Sequence, residues 1–338
     1  MSAQPTAGGL EPRRLGTLTV IVPCHNEREA LPACHRELGA ELAKLEIQST
    51  MLFVDDGSTD GTRELLDQIA ARDPRVGVIK LARNFGKEVA MSAGLDHADA
   101  DAVVLIDADL QDPPALIAEF IRHYEAGWEV VYGVRRSRAG ETWLKRATAA
   151  AFYRTIGRIS RTPIPPDTGD FRLLGRRAVL ALRSVRERNR FMKGLFGWVG
   201  FRQIGVLYDR APRVAGTTKF NYWRLWNFAL EGITSFSAAP LKVATYVGLF
   251  TSLAAFAWGA WVVFKTLVWG DPVAGYPSLM TVVLFLGGMQ LMALGMIGEY
   301  LGRVYEETKQ RPLYLLESVD LPARAAPAAS TTDAQRPG

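Results

Sequence analysis

Cysteine is scarce in this chain: only Cys24 and Cys34 occur among 338 residues, without a C-x-x-C pattern or metal-ligand spacing. That excludes a disulfide scaffold and a cysteine-built zinc site, and both read as reduced thiols. The first sixteen residues contain no apolar stretch of the kind a secretory signal needs. The segments that follow are therefore expected to stay on the side where they are made. The first strand-like segment ends in VPCHNE and has no G-x-G-x-x-G, the pattern a dinucleotide-binding fold would carry there. A dehydrogenase loses its main support. Charge of one sign is in only mild excess, 40 Lys and Arg against 35 Asp and Glu, net +5. That balance suits nucleic acid, phosphates or anionic lipid alike.

Apolar residues, by contrast, make up 48% of the chain, and the length allows one substantial domain plus something extra. Between residues 18 and 134, LTVIVP, TMLFVD, VGVIKL, AVVLID and EVVYGV are apolar runs of strand length. Amphipathic segments alternate with them. Leu31, Cys34, Leu38, Leu42 and Leu45 recur at helical spacing, as do Leu116, Ile117, Phe120, Ile121 and Tyr124. The pattern predicts an α/β domain with a largely parallel, doubly covered sheet, whose ligands bind beyond the carboxyl ends of the strands.

Further along, residues 141–161 read as a helix with Arg154, Arg158 and Arg161 stacked on one side. Residues 221–236 carry Tyr222, Trp223, Trp226, Phe228 and Phe236, which suits a helix in a membrane interface as well as a packing helix. Two apolar spans follow at 241–268 and 277–301, each near the ~20 residues that cross a bilayer. Their connector, WGDPVAGYP, has no Lys or Arg, while Arg210, Arg213, Lys219 and Arg224 precede them and Arg303, Lys309 and Arg311 follow. The positive-inside rule puts both ends in the cytoplasm.

The polar motifs fall at strand ends. The string DDGSTDGT, from Asp55 to Thr62, places carboxylates where a base N–H or ribose hydroxyl would bond them, although it is also good turn and cap chemistry. In DADLQDPP, from Asp107 to Pro114, Asp107 and Asp109 repel one another unless a positive charge sits beside them. A hard cation, Mg²⁺ or Mn²⁺, would supply it and bridge to diphosphate oxygens, with Gln111 as a neutral ligand.

Taken together, VPCHNE, DDGSTDGT, LARNFGK and DADLQDPP resemble, in this order, the GT-A-fold family 2 glycosyltransferases. DTGDFRLL, NRFMKGLFGW, APRVAGTTKF, EGITSFSAAPL and VYEETKQRPLY are similar to their polyprenyl-phosphate branch, the dolichol-phosphate mannose synthases and bactoprenol glucosyltransferases. The resemblance covers residues 18–316. It implies a Rossmann-like GT-A domain at 17–220, an interfacial helix at 221–239 and two transmembrane helices at 240–302. A cytoplasmic segment at 303–317 and disordered ends at 1–16 and 318–338 complete the expected organisation.

By the same resemblance Pro23, Asn26, Glu27, Asp55, Asp56, Lys87, Asp107 and Ala108 bind the nucleotide, and Asp109 and Gln111 hold Mg²⁺ or Mn²⁺. Asp170, with Asp109, carries the catalysis. Arg135, Arg213 and Lys219 meet phosphates or the acceptor; Thr218 stands where most relatives have Ser and keeps the hydroxyl. The implied partners are a nucleotide sugar, a polyprenyl phosphate, the bilayer and further copies of the chain in a homo-oligomer, a tetramer by resemblance, with no nucleic acid. The implied reaction is an inverting sugar transfer at the cytoplasmic face of the inner membrane, glucose from UDP-glucose being the first candidate. Processive polysaccharide synthases on this fold carry Q-x-x-R-W, which is absent here. The acceptor phosphate, with a second pKa near ~6, is mostly dianionic at neutral pH, so Asp170 is expected to orient substrate more than to remove a proton.

Overall fold

The computed structural model describes residues 11–136, 168–188, 190–209, 239–269 and 276–322. Each of the five apolar runs becomes a strand: β1 (Thr17–Cys24), β2 (Gln48–Asp55), β3 (Val76–Leu81), β4 (Ala102–Leu105) and β5 (Val130–Arg135). The helices between them are α1 (Leu31–Leu42), α2 (Thr62–Arg72), α3 (Lys87–His97) and α4 (Ile117–Glu125), the last preceded by a 3₁₀ turn at Pro114–Leu116. Side chains alternate along a strand. Val20 and Val22 therefore pack with Leu31, Leu38, Phe53 and Phe120 on one face. Ile21 packs with Val54, Ile79, Met91 and Leu105 on the other. Covering on both faces is why these strands are apolar throughout. Each fully buried Phe or Leu here contributes roughly 1.5–3 kcal/mol.

Three further strands, which the sequence pattern does not disclose, complete an eight-stranded sheet in the order β7-β5-β6-β4-β1-β2-β3-β8. They are β6 (Thr168–Gly175), β7 (Gln203–Tyr208) and β8 (Leu316–Asp320). The sheet is mixed: β6 runs antiparallel between β4 and β5, and β8 antiparallel along β3. The other six strands all run one way, so the sheet is largely parallel as expected, with β6 and β8 as the two exceptions. β6 decides the position of the site. Its ladder with β4 pairs Ala102 with Gly175 and ends at Leu105 opposite Arg172. Continuing that register, Asp107, two residues after Leu105, falls opposite Asp170, two residues before Arg172, so antiparallel pairing brings two acids together at the end of the sheet.

The expected boundaries also shift. Residues 1–10 lie outside the described residues, but Arg13 is not a loose end: its guanidinium donates to Glu129 Oε2 at 2.7 Å and Trp128 O at 2.6 Å, over the Tyr124 ring. Leu15 is buried. At the other end β8 runs to Asp320, beyond the expected limit at 317. Helices α5 (Arg176–Ser184) and α6 (Met192–Trp198) follow β6. The helices expected at 141–161 and 221–236 lie outside the described residues.

The two apolar spans form long helices, α7 (Ala239–Trp269, 31 residues) and α8 (Tyr276–Thr308, 33 residues). Among the described residues, however, no helix combines the length and apolarity needed to cross a membrane. Side chains at 252, 255, 262, 263, 266 and 267, among others in these helices, lie outside the description. The two membrane spans expected at 240–302 are thus not carried by the described fold.

Candidate active site

The facing acids Asp107 and Asp170 are held together by one cation. Lys87, the first residue of α3, places Nζ 2.6 Å from Asp107 Oδ1 and 2.6 Å from Asp170 Oδ2. The helix delivers it there because α3 packs on β1 and β2 and begins after Gly86, whose φ of 99° only glycine adopts easily. Crowding by protein disfavours the Lys87 charge, but Asp107 and Asp170 outweigh it and raise its pKa. Burial likewise works against the Asp170 charge, and Lys87 and Lys193 overcome it, holding this carboxyl well below the usual range. The positive charge expected beside the DAD acids is therefore supplied, for Asp107, by the protein itself.

Two oxygens at this site are buried without a hydrogen bond among the described residues, Asp170 Oδ1 and Gln111 Oε1. A buried acceptor without a donor costs roughly 1–3 kcal/mol, a cost that a ligand donating to either oxygen would offset. Asp109 is half-buried and accepts the Gln111 N–H at 3.2 Å. No cluster of three or more His, Cys, Asp or Glu fit for a metal exists among the described residues. The donor set here is one carboxylate and one amide oxygen, Asp109 and Gln111. It fits a hard cation that takes its remaining ligands from phosphate and water, as Mg²⁺ commonly does.

The other predicted residues divide sharply. Pro23, Asn26 and Glu27 are half-buried at the end of β1. Asn26, at φ 56°, donates its N–H to Ser58 Oγ at 2.9 Å and accepts the Thr59 N–H at 2.8 Å. It thereby locks the VPCHNE and DDGSTDGT loops together. Asp55 and Asp56, 0% and 2% exposed, are turned to internal duty. Asp55 accepts Arg63 Nε at 2.7 Å. Asp56 accepts the N–H groups of Phe85 and Gly86 at 2.6 and 2.8 Å, fixing the entry to α3. Both carboxylates are buried and serve these internal contacts in the described structure. The Ala108 side chain is likewise part of the core.

Arg135 is also engaged. It donates to Tyr208 Oη at 3.3 Å and stands 4.0 Å from Asp112, which accepts the Tyr208 hydroxyl. This trio ties the DADLQD loop to the ends of β5 and β7. Arg213 and Lys219, with Arg154 and Arg158, lie outside the described residues.

Several residues here escape a reading of the sequence. Arg172 is 3% exposed, stacks 3.6 Å over the Phe196 ring and donates to Gly169 O at 2.8 Å and Asp170 O at 3.3 Å. Burial brings its pKa down to about 10, against the pull of Asp170. It stands two residues from Asp170, on the same face of a strand, and that alternation is the available signal. Glu88 follows Lys87 and accepts the Met192 N–H at 2.9 Å. Burial first, then repulsion from Asp170, pushes its carboxyl up to about 7. No short motif marks it.

Comparison with known proteins agrees with this layout. Residues 19–182 match Glycosyl transferase family 2, and residues 239–304 match the GtrB C-terminal hairpin. A glycosyltransferase of Synechocystis is 52% identical over 302 residues, covering 89% of this chain and 95% of the relative. The bactoprenol glucosyl transferase of Shigella phage SfV is 47% identical over 303 residues, covering 89% and 98%. A prophage bactoprenol glucosyl transferase homolog of Escherichia coli is 46% identical over 304 residues, covering 89% and 99%.

Proposed function

We propose, on the premise that the chain belongs to glycosyl transferase family 2, that it moves glucose from a nucleotide sugar, UDP-glucose first among candidates, onto a polyprenyl phosphate. The names of the phage and prophage relatives support the sugar and the lipid carrier. The observation that carries a transfer reaction is the Lys87–Asp107–Asp170 constellation with two unmet buried oxygens beside it. A pure binding module has no use for like charges gathered in this way.

Asp170 is held ionised by Lys87, and a carboxylate so stabilised is a weak proton acceptor. Its fitting task is to position the sugar or acceptor through Oδ1. The acceptor phosphate, dianionic above ~6, needs no base to attack the anomeric carbon, and a single displacement inverts configuration there. Lys87, and Lys193 nearby, are placed to offset negative charge gathering on the departing diphosphate. A divalent cation bound through Asp109 and Gln111 supplies further positive charge to that group.

The proposal includes anchoring of α7 and α8 in the cytoplasmic membrane, with the catalytic domain on the cytoplasmic side. It is supported by large apolar side chains left 66–79% exposed on α7, among them Phe250, Phe256 and Trp258. So much uncovered apolar surface is unusual in water. The test is mass analysis of the lipid product from purified full-length protein supplied with polyprenyl phosphate, Mg²⁺ or Mn²⁺ and a panel of sugar nucleotides. A hexose-phosphate-linked polyprenol with release of nucleoside diphosphate is expected. Binding of sugar nucleotide without any transfer would instead assign a regulator, and transfer only to other lipids would assign a different glycolipid synthase.

A further inference from the structure

A second charged site lies at the other end of α3. That helix has 11 residues, so its ends are roughly 15 Å apart at ~1.5 Å per residue, with Lys87 at one and His97 at the other. Beside Asp96 and His97 opens a cavity of about 800 Å³. Its walls come from the end of α5, the loop after it, the last turn of α8 and the segment leading to β8. Arg183, Arg186, Arg188 and Arg311 line it, against only Asp96 and Glu307 as acids.

Four guanidinium groups on the cavity wall stand against two carboxylates, and Glu306 also feels the charge of Arg311 and Arg188. Arg186 Nη1 meets Asp96 Oδ2 at 2.7 Å, and the same oxygen accepts the Tyr314 hydroxyl at 2.9 Å. Glu307 accepts the Arg188 backbone N–H at 2.8 Å. Arg183 donates to the carbonyls of Leu95 and Ala98, and Arg188 to that of Arg311. Capping the end of α3 explains Arg183. It does not explain why Arg186, Arg188 and Arg311, from two distant parts of the chain, gather at the same opening. Guanidinium is the side chain that recognises phosphate by paired N–H donors, and it does so best where charge is uncompensated.

We infer that this arginine-lined cavity is a binding site for a phosphate-bearing anion, either a lipid headgroup or a free phosphate, separate from the catalytic end of the sheet. The site joins two parts of the chain distant in sequence, the α5 end and the α8 exit. Its occupant therefore links the hairpin to the catalytic domain.

The test uses full-length protein in neutral detergent, titrated with dioctanoyl phosphatidylglycerol, with inorganic phosphate, and with zwitterionic dioctanoyl phosphatidylcholine, and followed by thermal shift and calorimetry. Saturable binding of the phosphatidylglycerol or of phosphate is expected, at least about tenfold weaker in Arg188→Gln/Arg311→Gln. Preference for the lipid assigns a headgroup, and binding of phosphate alone assigns a soluble anion. Equal affinity in wild type and variant, binding of phosphatidylcholine as tight as phosphatidylglycerol, or no saturable binding of either anion overturns the inference. Should the double variant fold poorly, Arg311→Gln alone, at an exposed position, is expected to weaken binding at least about threefold, and an unchanged affinity there is equally decisive against it. The outcome is independent of which sugar or acceptor the catalytic site uses.

Discussion

The ammonium of Lys87 lies 2.6 Å from Asp170 Oδ2 and bridges that carboxylate to Asp107. Two acids brought together by strand register are tolerable only because the first residue of α3 arrives between them. Replacing Lys87 by Met should leave them in mutual repulsion, lower the melting temperature and reduce kcat/KM by about a hundredfold or more, roughly 2.7 kcal/mol in the barrier. A variant retaining more than about a tenth of wild-type turnover would show that the bridge is dispensable.

Asp170→Asn separates two roles. With an orienting Asp170, the residual rate should rise with pH through the acceptor's own ionisation near ~6 and then level off. A loss confined to below about ten-thousandfold is the expected size, since Asn keeps volume and hydrogen bonding. A residual rate flat from about pH 5 to 8, measured at saturating metal, argues that the phosphate is not self-activated.

Asp109→Asn removes the one charge from the pair, Asp109 and Gln111, proposed to hold the cation. Transfer should fall below about a tenth of wild type while the unfolding curve stays in place. Calorimetric titration of Mn²⁺ in the presence of sugar nucleotide should show weakened metal binding. Unchanged metal affinity moves the cation elsewhere.

Glu88 gives a signature in stability. Its carboxyl is pushed up to about 7 from an ordinary 4.5, chiefly by burial, so the folded chain holds this proton more tightly than the unfolded one. The stabilisation it brings is present at low pH and is lost as pH rises from about 4.5 through 7. Glu88→Gln, which still accepts the Met192 N–H, should be less sensitive to pH than wild type across that window. Parallel melting temperatures for the two proteins from about pH 5 to 8 would reject this assignment.

The strands that build the centre of the sheet are legible because burial on both faces writes itself as unbroken runs such as LTVIVP. β6 is not, since TGDFRLLG mixes the charged Asp170 and a buried Arg172 into its alternation, and its place between β4 and β5 is a matter of topology. β8, LESVD, is a polar edge strand with almost no apolar signal. Asp107, Asp109, Gln111 and Asp170 are legible as motif residues. Their assembly around Lys87 is not, because it depends on where α3 starts relative to a strand from a distant part of the chain. Asp55 and Asp56 are legible as strand-end acids, but their bonds to Arg63 and to the Phe85 and Gly86 N–H groups are not, because those partners lie in other segments of the chain.

One consequence of β8 remains. The chain leaves the sheet after β7, passes through α7 and α8, and returns to pair with β3 along Val78–Leu81. A domain on a single leash can swivel about it and sample every height and tilt that the leash allows. Here the hairpin's return is stitched into the same eight-stranded sheet that its entry departs from, with β7 at one edge and β8 at the other. Two tethers at opposite edges of one sheet limit how far the hairpin can turn against it, a restraint that a single tether does not provide.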